Sequence, residues 1–118
     1  MIEGVGVDIV EVERIKRLYE KFGEKFLNRV FTEFEIQYSL SRSNPFPHLA
    51  ARFAAKEAVI KALKGADGLN IKAIEVLNNE KGAPEVKVAG LDKKFFLSIS
   101  HEKKYAIAFV VVTSNKEE

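Results

Sequence analysis

The 118-residue sequence contains no cysteine and only two histidines. The first absence excludes disulfides, thiolate metal sites and cysteine nucleophiles, and the second leaves too few imidazoles for a histidine-rich metal centre. A metal bound here has to be held by carboxylates and by oxygens of its ligand, a donor set that suits Mg²⁺. No stretch approaches the roughly 20 apolar residues of a membrane-spanning helix, and the N-terminus lacks the basic-then-apolar order of a secretory signal, so a soluble cytoplasmic protein is expected. With 19 basic and 17 acidic residues the net charge is +2, which gives no reason to expect nucleic acid as a partner. Walker and Gly-x-Gly-x-x-Gly nucleotide motifs are missing. So is the Gly-x-Ser-x-Gly context that would make Ser98 or Ser100 the nucleophile of a hydrolase.

The composition that remains, 47% hydrophobic over this length, fits one domain spanning residues 1–118. Residues 2–9 read as a strand and 11–22 as a helix stopped by Gly23. A second helix starts at Thr32, where Thr32 and Glu35 form a capping box, and runs to Leu40. Prolines and small polar residues make 41–47 a loop, and a third helix follows over 48–64, ended by the turn 65–68. Strands are expected over 71–77 and 85–88, with 78–84 as their turn, and over 95–100 and 105–112, with 101–104 between them. Residues 114–118 should fray. The expected class is α+β: an N-terminal strand, three helices, then antiparallel strands.

Strand alternation puts Asp8 on the face it shares with Gly6 and Gly4, where glycines leave room for something bulky. Helical spacing puts Glu57 beside Lys61 on the flank of the third helix. Judged singly, both acids have ordinary roles. Asp8 would cap the next helix, and Glu57 with Lys61 would be an i,i+4 surface pair contributing about 0.3–0.5 kcal/mol. Judged together, they are candidate ligands for one Mg²⁺. Lys56 falls within the apolar stripe of Phe53, Ile60 and Leu63, and snorkelling of its ammonium to water is the expected outcome. Lys61, Lys64 and the flexible backbone from Gly65 form a phosphate-like environment. His101, where a strand opens into a turn, presents an imidazole able to donate to phosphate. Arg14, Arg17 and Lys21 form a basic stripe on the first helix, suited to an acidic protein partner.

Three segments, in order, resemble the holo-acyl-carrier-protein synthase family, the short 4′-phosphopantetheinyl transferases. They are Gly4-Val5-Gly6-Val7-Asp8-Ile9-Val10-Glu11 with Arg14-Ile15, Arg52-Phe53-Ala54-Ala55-Lys56-Glu57-Ala58 with Lys61-Ala62, and Ser98-Ile99-Ser100-His101 with Tyr105-Ala106-Ile107-Ala108. Weaker matches are Phe31-Thr32-Glu33 with Glu35, and Ile74-Glu75-Val76 leading to Gly82 and Pro84.

The resemblance implies transfer of the phosphopantetheine arm of coenzyme A to a serine of apo acyl carrier protein. Asp8 and Glu57 would hold Mg²⁺ at the pyrophosphate, Lys61 would stabilise the transferring phosphate, and Glu57 would accept the serine proton directly or through water. Coenzyme A would be bound by Arg52, Lys61, Lys64, Gly65, Gly82, Pro84 and His101. The carrier would dock on Arg14, Arg17 and Lys21. The resemblance further implies a homotrimer with sites between subunits, one chain giving Asp8, Arg52, Glu57 and Lys61 and its neighbour the 82–84 turn and His101.

Two departures bear on coenzyme A binding. Ala83 stands where family members often have lysine, and 64–68 replaces a Gly-Thr-Gly turn, where Asp67 pointing inward would repel phosphate. A non-catalytic domain that docks an acidic partner is the alternative, and a carboxylate-metal phosphohydrolase is a third reading.

Overall fold

The computed structural model describes residues 1–64 and 69–115, so the expected turn at 65–68, with Gly65 and Asp67, and the tail at 116–118 lie outside the described residues. The chain begins with β1 (Ile2–Glu11) and passes through α1 (Val12–Phe22), α2 (Glu24–Val30), α3 (Glu33–Leu40) and α4 (Pro45–Ala62). A 3-10 turn (Ile71–Ala73) then leads into β2 (Ile74–Asn78), β3 (Pro84–Val88), β4 (Lys93–His101) and β5 (Tyr105–Ser114). The α+β class and antiparallel strands are as expected, but the described residues form four α-helices rather than three.

The extra helix is α2, whose Leu27 and Val30 are buried. Gly23 does stop α1: at φ +59°, a left-handed value that glycine adopts without a Cβ penalty, its N–H donates to the Tyr19 carbonyl at 2.7 Å. The chain then re-enters helix at once, so the stop is also a start. Likewise Pro45 and Pro47, read as loop residues, occupy the first turn of α4, where a missing N–H costs nothing and Asn44 caps the end through the Phe46 N–H at 3.3 Å. Thr32 and Glu35 form the expected capping box, with 2.7 and 3.3 Å bonds.

The strands of the described residues form two antiparallel sheets, one ordered β1-β5-β4, the other β2-β3. In the first, Asp8 is opposite Ala108 and Ala108 opposite Ile99. Helix α4 lies across this sheet, and alanines at 50, 51, 54, 55, 58 and 62 are all buried in the core with Val10, Ala106, Ala108, Val110 and Val112. Small side chains on the helix and Gly4 and Gly6 on β1 let the two backbones come together. A β-carbon on Gly6 would overlap the Ala58 carbonyl oxygen, and one on Gly4 the Ala62 carbonyl oxygen. The bulky object that the glycines accommodate is therefore the helix itself.

Candidate active site

The close approach of β1 to α4 decides where the carboxylates go. Asp8 faces the helix from the same side of β1 as Gly6, with its side chain 17% exposed. Lys61, from the last turn of α4, donates to Asp8 Oδ1 and to the Val7 carbonyl, each at 3.0 Å. Neither ordinary role holds. The residue before α1 is Glu11, without a side-chain cap, and Lys61 pairs across the seam with Asp8 rather than along the helix with Glu57. Glu57, one turn before Lys61 and half-buried, has no ion pair or hydrogen bond among the described residues.

The seam thus presents one carboxylate oriented by a lysine and, on the same flank of α4, a second carboxylate with no partner. Hard oxygen donors of this kind fit Mg²⁺. The described residues hold no cluster of three acids or histidines, so such an ion would take its other ligands from substrate oxygens and water.

Further around, the flank meets α1. The Arg14 guanidinium lies 5.7 Å from the centre of the Phe53 ring, and Phe53 is one turn from Glu57. Arg17 is exposed and bonded to Glu11 at 3.2 Å, and Lys21 lies over Phe22 at 5.2 Å. All three cations of the stripe are exposed, and Arg14 is the one that borders Phe53.

Arg52 is placed differently from what the resemblance implied. Five residues before Glu57, it projects about 140° around the helix from it. There it is buried at 5% exposure, with its guanidinium 4.2 Å from the centre of the Tyr38 ring of α3. His101 is on the same side, its ring 5.4 Å from that of His48 in the first turn of α4. Within one chain Arg52 therefore groups with His101, not with Asp8, Glu57 and Lys61.

The remaining candidates are separate from both groups. Gly82 and Pro84 are in the β2–β3 hairpin, where Gly82 takes φ +83° and Asn79 accepts from the Lys81 and Ala83 N–H groups at 2.9 and 3.0 Å. Lys64 follows α4 at φ +59°, exposed and in the left-handed region.

Lys56 does not snorkel. Its side chain is wholly buried, 2.6 Å from Glu35 Oε1, and it also donates to the carbonyls of Val30 and Ile74 at 3.0 and 2.7 Å. Glu35 in turn accepts from the Val76 N–H at 2.7 Å. The capping box gave a signal for Glu35 but not for this second role. Burial works against the Lys56 charge and Glu35 supports it.

Residues 4–110 match the family model of the 4′-phosphopantetheinyl transferase superfamily. A holo-[acyl-carrier-protein] synthase of Thermodesulfovibrio yellowstonii is 74% identical over 96% of this chain and 100% of its own length, and one of Halothermothrix orenii is 48% identical over 94% and 97%. The crystal structure of a holo-(acyl-carrier-protein) synthase from Bacillus anthracis in complex with CoA (3′,5′-ADP) superposes with a TM-score of 0.87 at 35% identity, covering 98% of this chain and 99% of that one. That of Helicobacter pylori, in complex with coenzyme A, gives 0.83 at 32% identity, with 92% and 99% covered. The chain belongs to the 4′-phosphopantetheinyl transferase superfamily and is an enzyme of its holo-acyl-carrier-protein synthase branch.

Proposed function

We propose that the two flanks of α4 are complementary halves of a site that transfers 4′-phosphopantetheine from coenzyme A to a serine of apo acyl carrier protein, releasing adenosine 3′,5′-bisphosphate. The observation that carries this reading is the seam of Asp8, Lys61 and the unpartnered Glu57, bordered by the basic face of α1. The serine Oγ forms a bond to the phosphorus that bears the pantetheine arm. The bond from that phosphorus to the bridging oxygen breaks, and its electron pair leaves with the nucleotide. Glu57, free of other partners, accepts the serine proton. Lys61 holds Asp8 in place and puts a positive charge beside the transferring phosphate. A Mg²⁺ held by Asp8 and Glu57 would supply the further charge neutralisation that a pyrophosphate leaving group requires.

The attacking hydroxyl belongs to the carrier, which explains why no nucleophile of this chain is needed. Arg14, Arg17 and Lys21 form the docking face for an acidic carrier, and the position of Arg14 beside Phe53 directs its serine toward Glu57. The reaction is assigned to the cytoplasm, where fatty-acid biosynthesis would use the loaded carrier. No helix among the described residues is long and apolar enough to cross a membrane.

Arg52 and His101 point away from the seam, so the reading needs a second copy of the chain to complete each site. A homotrimer is supported by the outer face of the β1-β5-β4 sheet. Val5, Val7, Ile9, Phe96, Ile107 and Phe109 are 41–61% exposed there. Val7 is opposite Phe109 and Ile9 opposite Ile107, so these side chains form one apolar surface of the kind that marks an interface.

The decisive experiment is mass spectrometry of an apo carrier protein incubated with coenzyme A, Mg²⁺ and this enzyme. A phosphopantetheine adduct on the carrier serine is expected. Its absence, with a known transferase active in parallel, removes the proposal, and coenzyme A hydrolysis without a carrier would point to a phosphohydrolase instead.

A further inference from the structure

The buried pair of Lys56 and Glu35 occupies the place of a missing strand. Hydrogen bonding within the β2–β3 hairpin uses the odd-numbered residues: the Ala89 N–H, just after β3, donates to the Ala73 carbonyl at 3.0 Å, and the Asn79 N–H, just after β2, donates to the Ala83 carbonyl at 2.8 Å. Backbone groups alternate in direction along a strand, so Ile74 and Val76 turn their C=O and N–H away from β3. On that free edge the Lys56 ammonium donates to the Ile74 carbonyl and Glu35 Oε2 accepts from the Val76 N–H, each at 2.7 Å. One cation and one anion thus satisfy the acceptor and the donor that a further strand would engage.

Among the described residues, the hydrogen bonds that tie β2 to the helices all come from this pair. Toward its far end the hairpin is bonded to itself: the Gly82 N–H donates to the Asn79 carbonyl at 2.9 Å, and Asn79 Oδ1 accepts from the Lys81 and Ala83 N–H groups. The arm is therefore anchored at its base and stiffened at its tip. At roughly 3.3 Å per residue Asn78 is about 13 Å from Ile74, so a tilt of about 5° at the base moves the tip by about 1 Å. A misplacement of that size can cost about 100-fold in rate.

We propose that Lys56 and Glu35 are positioning residues: by standing in for a neighbouring strand they set the direction of the β2–β3 hairpin, and so place the turn from Gly82 to Pro84 against coenzyme A. The inference rests on the homotrimer reading, in which that turn serves the site of the adjoining subunit. Lys56 is thus next to Glu57 in sequence and acts on a different site from it. Helical geometry agrees, since successive residues diverge by about 100° and the Lys56 ammonium is directed to α3 and β2.

The test is steady-state kinetics, with apo carrier protein and coenzyme A, on the double variant Lys56→Met with Glu35→Leu and on mixed trimers that contain it. Replacing both charges by apolar side chains of similar size keeps the core filled and removes the two bonds to β2. The expected result is a melting temperature close to wild type, KM for coenzyme A raised about tenfold or more, and a smaller change in kcat. Mixed trimers of the double variant with Glu57→Ala, isolated through two affinity tags, contain in every arrangement one site with an intact Glu57 and an intact hairpin. At coenzyme A well below the raised KM they should show about one third of wild-type activity, more than either parent trimer.

A merely structural role lowers stability without producing complementation between chains. Wild-type KM in the double variant overturns the positioning role. So do mixed trimers no more active than their parents, provided that Glu57→Ala and His101→Ala chains complement each other in the same assay, and the shared site then stands. Failure of that control pair to complement overturns the shared site and this inference with it. Should the double variant not assemble, Glu35→Asp gives the same test. It keeps a carboxylate beside Lys56 but is one methylene too short to reach the Val76 N–H as well, so the same rise in KM and the same recovery in mixed trimers are expected.

Discussion

Lys56 and Glu35, 21 positions apart in sequence, meet at 2.6 Å with both side chains wholly buried. Together they tie α4 and α3 to the end of α2 and the start of β2, because Lys56 donates to Val30 and Ile74 and Glu35 accepts from Val76. Removing either charge leaves the other buried without its counter-ion, a loss of about 3–5 kcal/mol. Lys56→Met and Glu35→Leu alone should each lower the urea midpoint strongly, whereas the double variant should recover most of the loss. A cost in the double variant equal to the sum of the single costs would show that the two side chains act independently.

The glycines of β1 give a second prediction. Gly6→Ala forces a methyl group into the space of the Ala58 carbonyl and Ala62 backbone nitrogen, the latter 2.8 Å from the added carbon. Overpacking of this kind costs about 1–3 kcal/mol, and here relief requires β1 to move off α4. Since Asp8 is two residues along the strand and bonded across the seam to Lys61, transfer activity should fall even in the fraction that remains folded. Activity measured well below the melting transition checks this, and wild-type turnover with reduced stability would refute it.

These two cases also show what was legible in the sequence. Alternation identified the face of β1 that carries Gly4, Gly6 and Asp8, and the structure agrees. Periodicity says which way a residue points but not what fills the space opposite, and the helix backbone fills it. Thr32 and Glu35 were readable as a capping box because that signal is local, whereas the partner of Lys56 was not, since the contact spans two helices. Helix α2 escaped notice because seven residues hold too little periodic signal and Gly23 reads as a stop. The Asp8–Lys61 bond links positions 53 apart. Only the family resemblance joined those two segments, and the same resemblance grouped Arg52 with Glu57, which helical geometry opposes.

Lys64 provides a third prediction. A non-glycine residue at φ +59° is disfavoured by roughly 1–2 kcal/mol, and glycine removes the steric part of that cost. Lys64→Gly should therefore raise the melting temperature slightly or leave it unchanged, after subtraction of the greater flexibility of glycine in the unfolded chain. If the Lys64 ammonium also contacts coenzyme A, KM for coenzyme A rises in the same variant while kcat is kept. Unchanged KM would confine Lys64 to the end of the helix.

The last prediction separates docking from chemistry. Arg14 lies over Phe53 with its charge facing solvent, while Arg17 already shares its charge with Glu11 at 3.2 Å. Arg14→Ala should therefore weaken carrier binding more than Arg17→Ala, raising KM for the carrier several-fold with kcat nearly unchanged, and the difference from wild type should shrink as salt screens the encounter. Glu57→Ala should do the reverse, lowering kcat by at least about 100-fold through loss of a general base while the carrier still binds. Steady-state kinetics at low and high ionic strength, with carrier binding measured separately by titration, distinguishes the two. A kcat defect in Arg14→Ala that persists at saturating carrier would move Arg14 from the docking face into the reaction itself.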